Sequence, residues 1–265
     1  MQRLDLTLPT PAENLALDEA LLDWAEEEND EWEFLRLWES PEPIVVVGRS
    51  TRVDLEIHES ACRRRGIPIL RRSSGGAAIV AGPGCLMHAV VLSYKLRPEL
   101  KDIRRAHAYV LGRLADSLSV YGLPVAHAGT SDLVIADCGL RIADWASGVM
   151  QSAIRNPKSE IVRKFSGNSL RAKRSHLLYH GTLLYNFDLA LVESCLRMPP
   201  RVPDYRESRH HCDFVTNLPI TRQSLVDAVD AAWPTQGTVS AWPIERVSRL
   251  VAERLARDSW NLEFG

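Results

Sequence analysis

At 265 residues the chain has room for one large domain or two small ones, and 45% hydrophobic with 25% charged residues is an ordinary globular composition. A formal net charge of -2 gives no bulk electrostatic attraction to nucleic acid or an acidic membrane, and no apolar run approaches the ~20 residues of a membrane span. Cys62, Cys85, Cys138, Cys195 and Cys212 are scattered and form no Cys-x-x-Cys pair, which argues against a disulfide framework or a metal site. The first residues lack the apolar core of a secretory signal, and the expectation is a cytoplasmic protein.

In chain order, Thr10-Pro11-Ala12-Glu13 reads as a helix start, with Thr10 as N-cap, Pro11 in the first turn and Glu13 closing a capping box; Leu17, Leu21 and Trp24 follow at helical spacing. Trp32 to Trp38 and Pro43 to Gly48 read as strands, and Leu55 to Arg65 as a helix stopped by Gly66. Ile67 to Arg72 and Leu86 to Tyr94 read as further strands. Ile103 to Leu118 is the longest amphipathic helix, ending at Gly122, with His107 on its apolar face as a satisfied core histidine. Strands follow at Asp132 to Ala136, Ile161 to Ser166 and Leu177 to Tyr185, with Asp137 to Glu160 read as an inserted loop. A short helix at Asp188 to Leu196, an irregular Pro203 to His211 stretch, and helices at Thr221 to Trp233 and Glu245 to Ala256 complete the chain. Strands come first and no strict alternation appears, so the expectation is α+β: a mixed sheet flanked by helices, with residues 1–235 as the main domain and 236–265 as a helical extension packed on it.

Two motifs carry chemistry. In Arg71-Arg72-Ser73-Ser74-Gly75-Gly76, the glycines let backbone amides approach an anion, and the arginines offer forked donors for carboxylate or phosphate. Strand alternation lets only one arginine face a pocket, and Arg72, nearest the turn, is the better candidate. The spacing matches neither a Walker A loop nor a dinucleotide fingerprint. In the second, Lys164-Phe165-Ser166-Gly167-Asn168-Ser169, a lysine beside a glycine can neutralise a carboxylate and a phosphate together; the bland alternative is an edge-strand lysine that deters aggregation. His180-Gly181-Thr182 places a polar residue and a glycine inside an apolar strand, a mark of close approach by ligand or backbone.

Together with Ala12 to Leu22, Pro43 to Arg49, Ser131 to Val134 and His180 to Leu184, these motifs resemble, in order, the lipoate-protein ligase A family over roughly residues 10 to 230. The resemblance implies the catalytic domain of biotin and lipoate ligases, which is like that of class II synthetases. It also implies a reaction in which ATP, Mg²⁺ and lipoate form lipoyl-AMP. The acyl group then passes to a lysine of an apo-lipoyl domain, as in the E2 subunit of 2-oxoacid dehydrogenases or the glycine cleavage H protein. By the same resemblance, Lys164 would contact the lipoyl carboxyl and the α-phosphate. Arg72, with the backbone of Ala77, Ala78, Ile79 and Val80, would hold the nucleotide, and Arg71, Ser74, Gly75 and Gly76 would belong to the substrate- and nucleotide-binding set. Asp132 would orient Lys164 or the incoming lysine. His180 and Gly181 would line the acyl tunnel, and Ser166 and Gly167 would join the same binding set.

The chain departs from the family pattern at three points. Ala77 stands where a third glycine is usual. Ala81-Gly82 stands where His-Asp is usual, and Gly82-Pro83-Gly84 resembles the octanoyltransferase branch. The sequence reaches Gly265 with only a helix or two beyond the matched region, so the expectation includes an accessory subunit for adenylation. Two other readings remain. One is a transferase taking octanoyl or lipoyl from a carrier thioester through a cysteine, Cys195 or Cys138. The other is a non-catalytic subunit that binds lipoyl domains.

Overall fold

The protein is described from a computed structural model covering residues 1–136 and 162–263. Its strands, in chain order, are β1 (Gln2–Leu4), β2 (Phe34–Trp38), β3 (Ile44–Val47), β4 (Ile69–Arg71), β5 (Ile79–Ala81), β6 (Cys85–Ser93), β7 (Val125–Ala128), β8 (Asp132–Ala136), β9 (Val162–Ala172) and β10 (His176–Leu184). Seven form one sheet in the order β1-β2-β6-β10-β9-β8-β7; β4-β3-β5 form a smaller one. Both are mixed, because β1 runs parallel to β2 and β4 parallel to β3 while the other pairs are antiparallel. The fold is the expected α+β arrangement of a mixed sheet flanked by helices.

Strand β6 shows why two layers pack on the large sheet. It is buried along its whole length, with Cys85, Met87, Ala89 and Val91 in one hydrophobic cluster and Leu86, Val90 and Leu92 in the other. A strand apolar on both faces must be covered on both. The first face is covered by helix α1 (Pro11–Glu28) and the small sheet, the second by Ile103–Ser119 and the helix Arg222–Ala232. Thr10 caps α1 as its sequence predicts: its hydroxyl accepts from Glu13 N, and Glu13 Oε2 accepts from Thr10 N at 2.9 Å. His107 is the satisfied core histidine of the sequence reading, its Nδ1 2.9 Å from the Tyr179 hydroxyl.

Several elements differ from expectation. The helix predicted over Leu55 to Arg65 is two short ones, Val53–Glu56 and Glu59–Arg64. Tertiary bonds divide them: Ile57 bridges Leu196, and His58 N donates to Cys195 O. Strands β1, β5 and β7 lack a sequence signal because they are short and take their order from neighbours. The strand expected to stop at Ser166 continues to Ala172, so the lysine motif lies within it. The predicted insertion from Asp137 to Glu160 lies outside the described residues. Beyond residue 235, the chain packs back on the small sheet: Arg71 donates to the carbonyls of Trp260 and Asn261, and Asn261 Oδ1 accepts from Arg71 N.

Candidate active site

Lys164 pairs with Val134 of β8 on one side and bridges Val215 on the other, where Thr216 N donates to its carbonyl, so it is not on an open sheet edge and the aggregation-guard reading fails. Its orientation comes from a bulge. Asp132 pairs with Gly167 and Leu133 with Ser166, but Val134 then pairs with Lys164, leaving one extra residue on β9. Strict alternation would put Lys164 and Gly167, three apart, on opposite faces. The extra residue restores Lys164 to the face of Gly167 and Asp132, while Phe165 stays in the core beneath. There Lys164 Nζ lies 2.7 Å from Asp132 Oδ1, and the Tyr205 hydroxyl donates to Asp132 Oδ2 at 2.7 Å. Gly167 makes room for the pair, since a Cβ on it would lie 2.8 Å from Lys164 Nζ.

The two arginines of the first motif separate as alternation requires. Arg71 faces away, its Nη1 donating to the carbonyls of Gly48, Arg49 and Thr51 as well as reaching the C-terminal helix. It is a tie between elements, so its predicted ligand contact is not supported. Arg72 faces the cavity but is wrapped by its own loop: Nε donates to Ser74 Oγ at 3.1 Å, and Nη2 donates to Gly75 O at 2.5 Å and Ala77 O at 3.0 Å. Burial lowers its pKa to about 10. With the carbonyls of Gly75 and Ala77 turned towards the guanidinium, planar trans peptides point the amides of Gly76 and Ala78 the other way. The Ala78 amide already meets an anion there, donating to Glu56 Oε2 at 2.9 Å. Gly76 has φ +88, and its carbonyl lies 2.0 Å from where a Gly48 Cβ would sit, so two glycines permit this crossing.

His180 reaches the same loop. Its Nε2 lies 2.5 Å from Ser74 Oγ, and its Nδ1 lies 3.7 Å from Asp18 Oδ2. Asp18 is fully buried and pairs with Arg36 at 2.5 Å; burial alone would raise its pKa, but Arg36 and His180 outweigh burial and hold it below the usual range. Neither residue was singled out from sequence, although Arg36 inside an apolar strand and Asn14 with Asp18 one turn apart on α1 were signals of a buried polar network. Gly181 borders the cavity, yet its missing Cβ serves the other side: a Cβ would lie 2.0 Å from Asn168 Oδ1. Over Gly181, that oxygen accepts from His88 Nε2 at 2.9 Å, and Asn168 Nδ2 donates to Ser131 O and Ser166 Oγ. Ser166 thus supports the network as well as lining the cavity.

These groups surround a cavity of about 420 Å³ between α1, the small sheet and the large sheet. Leu15, Val46, Ile79, Val80, Met87 and Leu184 make part of it apolar, with Lys164, Asp132, Arg72 and His180 on its wall. Among the described residues no cysteine lines it. Cys195 is buried beside Cys62, whose thiol is pushed up to about 12 by burial and by Cys195; burial likewise raises Cys85 to about 12. Cys138 lies outside the described residues. No described cluster of three His, Cys, Asp or Glu side chains could hold a metal, and no described helix is long and apolar enough to cross a membrane.

Comparison with known proteins bears on the same regions. The octanoyltransferase LipM of Brevibacillus brevis is 22% identical over 279 residues, covering 96% of this chain and 95% of that protein. The enzyme of that name from Oceanobacillus iheyensis is 25% identical, covering 81% and 75%. Among solved structures, the bipartite lipoate protein ligase of Thermoplasma acidophilum, studied with its E2 lipoyl domain, has a TM-score of 0.74 at 18% identity, covering 98% of this chain and 95% of that one. A lipoate-protein ligase A bound with ATP has a TM-score of 0.67 at 18% identity, covering 98% of each chain. At such identities these structures establish the fold. The family described as the lipoyl protein ligase A/B catalytic domain matches residues 10–232, most of the length, and the chain belongs to that family.

Proposed function

We propose that this chain attaches lipoate, activated by ATP as lipoyl-AMP, to a lysine of an apo-lipoyl domain, with AMP as the leaving group. The observation that carries this reading is the Lys164 ammonium, held by Asp132, on the wall of an apolar cavity that no described cysteine lines. The cavity takes the acyl chain, each buried methylene contributing about 0.8 kcal/mol. Lys164 meets the carboxyl carbonyl and stabilises the negative charge that develops there as the acyl group is attacked. Direct transfer from the adenylate to the acceptor amine needs no protein thiol. The ATP-bound lipoate-protein ligase A and a T. acidophilum protein of this fold with bound lipoic acid, which has a TM-score of 0.73 at 17% identity, support these substrates. Because no described residues converge on a metal, Mg²⁺ would enter on the nucleotide phosphates, as is usual for that ion. The T. acidophilum ligase studied with its E2 lipoyl domain supports an acceptor of that class; the glycine cleavage H protein is the other acceptor proposed.

A second reading has its own support: an octanoyl transferase using a carrier thioester. LipM enzymes match this chain along its length, and a phosphate at the Ala78 amide would have to displace the Glu56 carboxylate. Cys138 is then the thiol to examine, since Cys62, Cys85 and Cys195 are buried, Cys212 is exposed, and none of these four lines the cavity.

Mass spectrometry of an apo-lipoyl domain incubated with the protein tests both. A lipoyl mass gain that requires lipoate, ATP and Mg²⁺ is expected for a self-sufficient ligase. Transfer from supplied lipoyl-AMP alone points to an accessory subunit for adenylation. Transfer only from an octanoyl carrier thioester, abolished in Cys138→Ser, replaces the ligase reading with the transferase.

A further inference from the structure

We propose that Tyr205 is a positioning residue for Lys164, acting through Asp132, and that the turn carrying it is built for this task. For catalysis the inference rests on the acyl-transfer reading above; the geometry itself does not. Asp132 has two carboxylate oxygens and, among the described residues, a partner on each. Oδ1 meets Lys164 Nζ at 2.7 Å, and Oδ2 accepts from the Tyr205 hydroxyl at 2.7 Å. Tyr205 thereby occupies the oxygen that Lys164 does not use and fixes the carboxylate's rotation. The Lys164 head then has one direction in which to pair. Without the hydroxyl, Asp132 can turn about its side-chain bonds and take the ammonium with it.

The surrounding chain holds the tyrosine ring on two sides. A Cβ on Gly129 would lie 3.3 Å from Tyr205 Cε1, and the Phe214 ring centroid is 5.3 Å from that of Tyr205. The turn Asp204–Arg206 is followed by Glu207 at φ 52 and Ser208 at φ 62, both left-handed without being glycine. Such backbone persists only where its surroundings impose it. Here two arginines do so. Arg209 donates to Tyr205 O at 2.7 Å, to Arg206 O at 3.0 Å and to Val162 O at 2.8 Å, while Arg206 donates to Arg209 O at 2.9 Å. Val162 begins β9, the strand of Lys164, so the clasp links Tyr205 to the strand whose lysine it serves. Burial and the Asp132 charge both raise the Tyr205 pKa, which keeps the hydroxyl a donor at any working pH.

Tyr205→Phe keeps the ring and removes the donor. Its kcat for acyl transfer is expected to fall about tenfold, with KM for the acyl substrate within twofold of the parent. On an Asp132→Asn background the same change is expected to add no further loss; a loss that persists there would be a folding defect and would overturn the proposal. A readout independent of acyl transfer is the rate at which acetic anhydride labels Lys164, followed by peptide mass spectrometry with Lys173 as internal control. Threefold or faster labelling of Lys164 in Tyr205→Phe is expected, and an unchanged or slower rate overturns the inference. If labelling responds while the parent protein transfers no acyl group from any donor, the proposed function fails and the positioning role stands.

Discussion

Lys164 and Glu56 put opposite charges on the cavity wall, and each leads to a test at the residue scale. Lys164→Ala removes the cation proposed to meet the acyl carbonyl. A loss of at least ~100-fold in kcat/KM is expected from removal of such electrostatic stabilisation, with circular dichroism and melting temperature near those of the parent. Retention of near-normal turnover would show that the lysine has another role. Glu56→Gln keeps a hydrogen-bond acceptor for the Ala78 amide and removes its charge. Like charges about 4 Å apart near a protein surface repel by up to ~4 kcal/mol, and part-exposure reduces this. Titration calorimetry with ATP should therefore show binding at least tenfold tighter in Glu56→Gln. Unchanged affinity would mean that the nucleotide does not approach that amide. Arg72, Lys164 and His180 were legible in the sequence because each sits beside a glycine or in an apolar strand, where a polar side chain needs a reason. Glu56 was not, since a glutamate ending a short helix resembles any surface acid.

At the scale of elements, β10 and β9 work as a pair. Gly181 on β10 lets Asn168 on β9 lean across to His88 on β6, so one missing side chain joins three strands. Gly181→Ala would drive a methyl into Asn168 Oδ1 and break both the His88 bond and the bond to Ser131 O. Overpacking together with a lost buried hydrogen bond costs about 2–4 kcal/mol. The unfolding free energy from urea denaturation should fall by that amount, and a loss under about 0.5 kcal/mol, on the order of surface substitutions, would refute the reading. Sequence reading marked this glycine as a place of close approach by ligand or backbone, and the resemblance placed it in the acyl tunnel. The neighbour is the Asn168 side chain on the preceding strand, held there by His88 of β6, and no local pattern specifies that pairing.

Across the whole molecule, the buried histidines make stability depend on pH. His88 Nε2 donates to Asn168, and its Nδ1 is buried with no partner among the described residues, so protonation would create an unpaired N–H in the core. Burial lowers its pKa to about 4, and burial also lowers His107 and His211. The unfolded chain takes up these protons near pH 6.5 while the folded chain does not, so stability is full above that pH and is lost as pH falls towards about 4. For His88 alone the loss is on the order of 3 kcal/mol, and denaturant melts at pH 7 and pH 5 should show much of it. His88→Gln should flatten the dependence; an equal slope in that variant would assign it to other groups. At this scale the division between sequence and tertiary structure is clear. Residue order alone determined the family, the capped first helix, the apolar central strands and the two glycine-bearing motifs, because capping, periodicity and glycine's freedom are local properties. Tertiary structure alone decided the bulge that turns Lys164 into the cavity, the diversion of Arg71 to the C-terminal helix and the Tyr205–Asp132–Lys164 chain. Each depends on strand register or on contacts between residues far apart in sequence, and those exist only once the sheets have closed on one another.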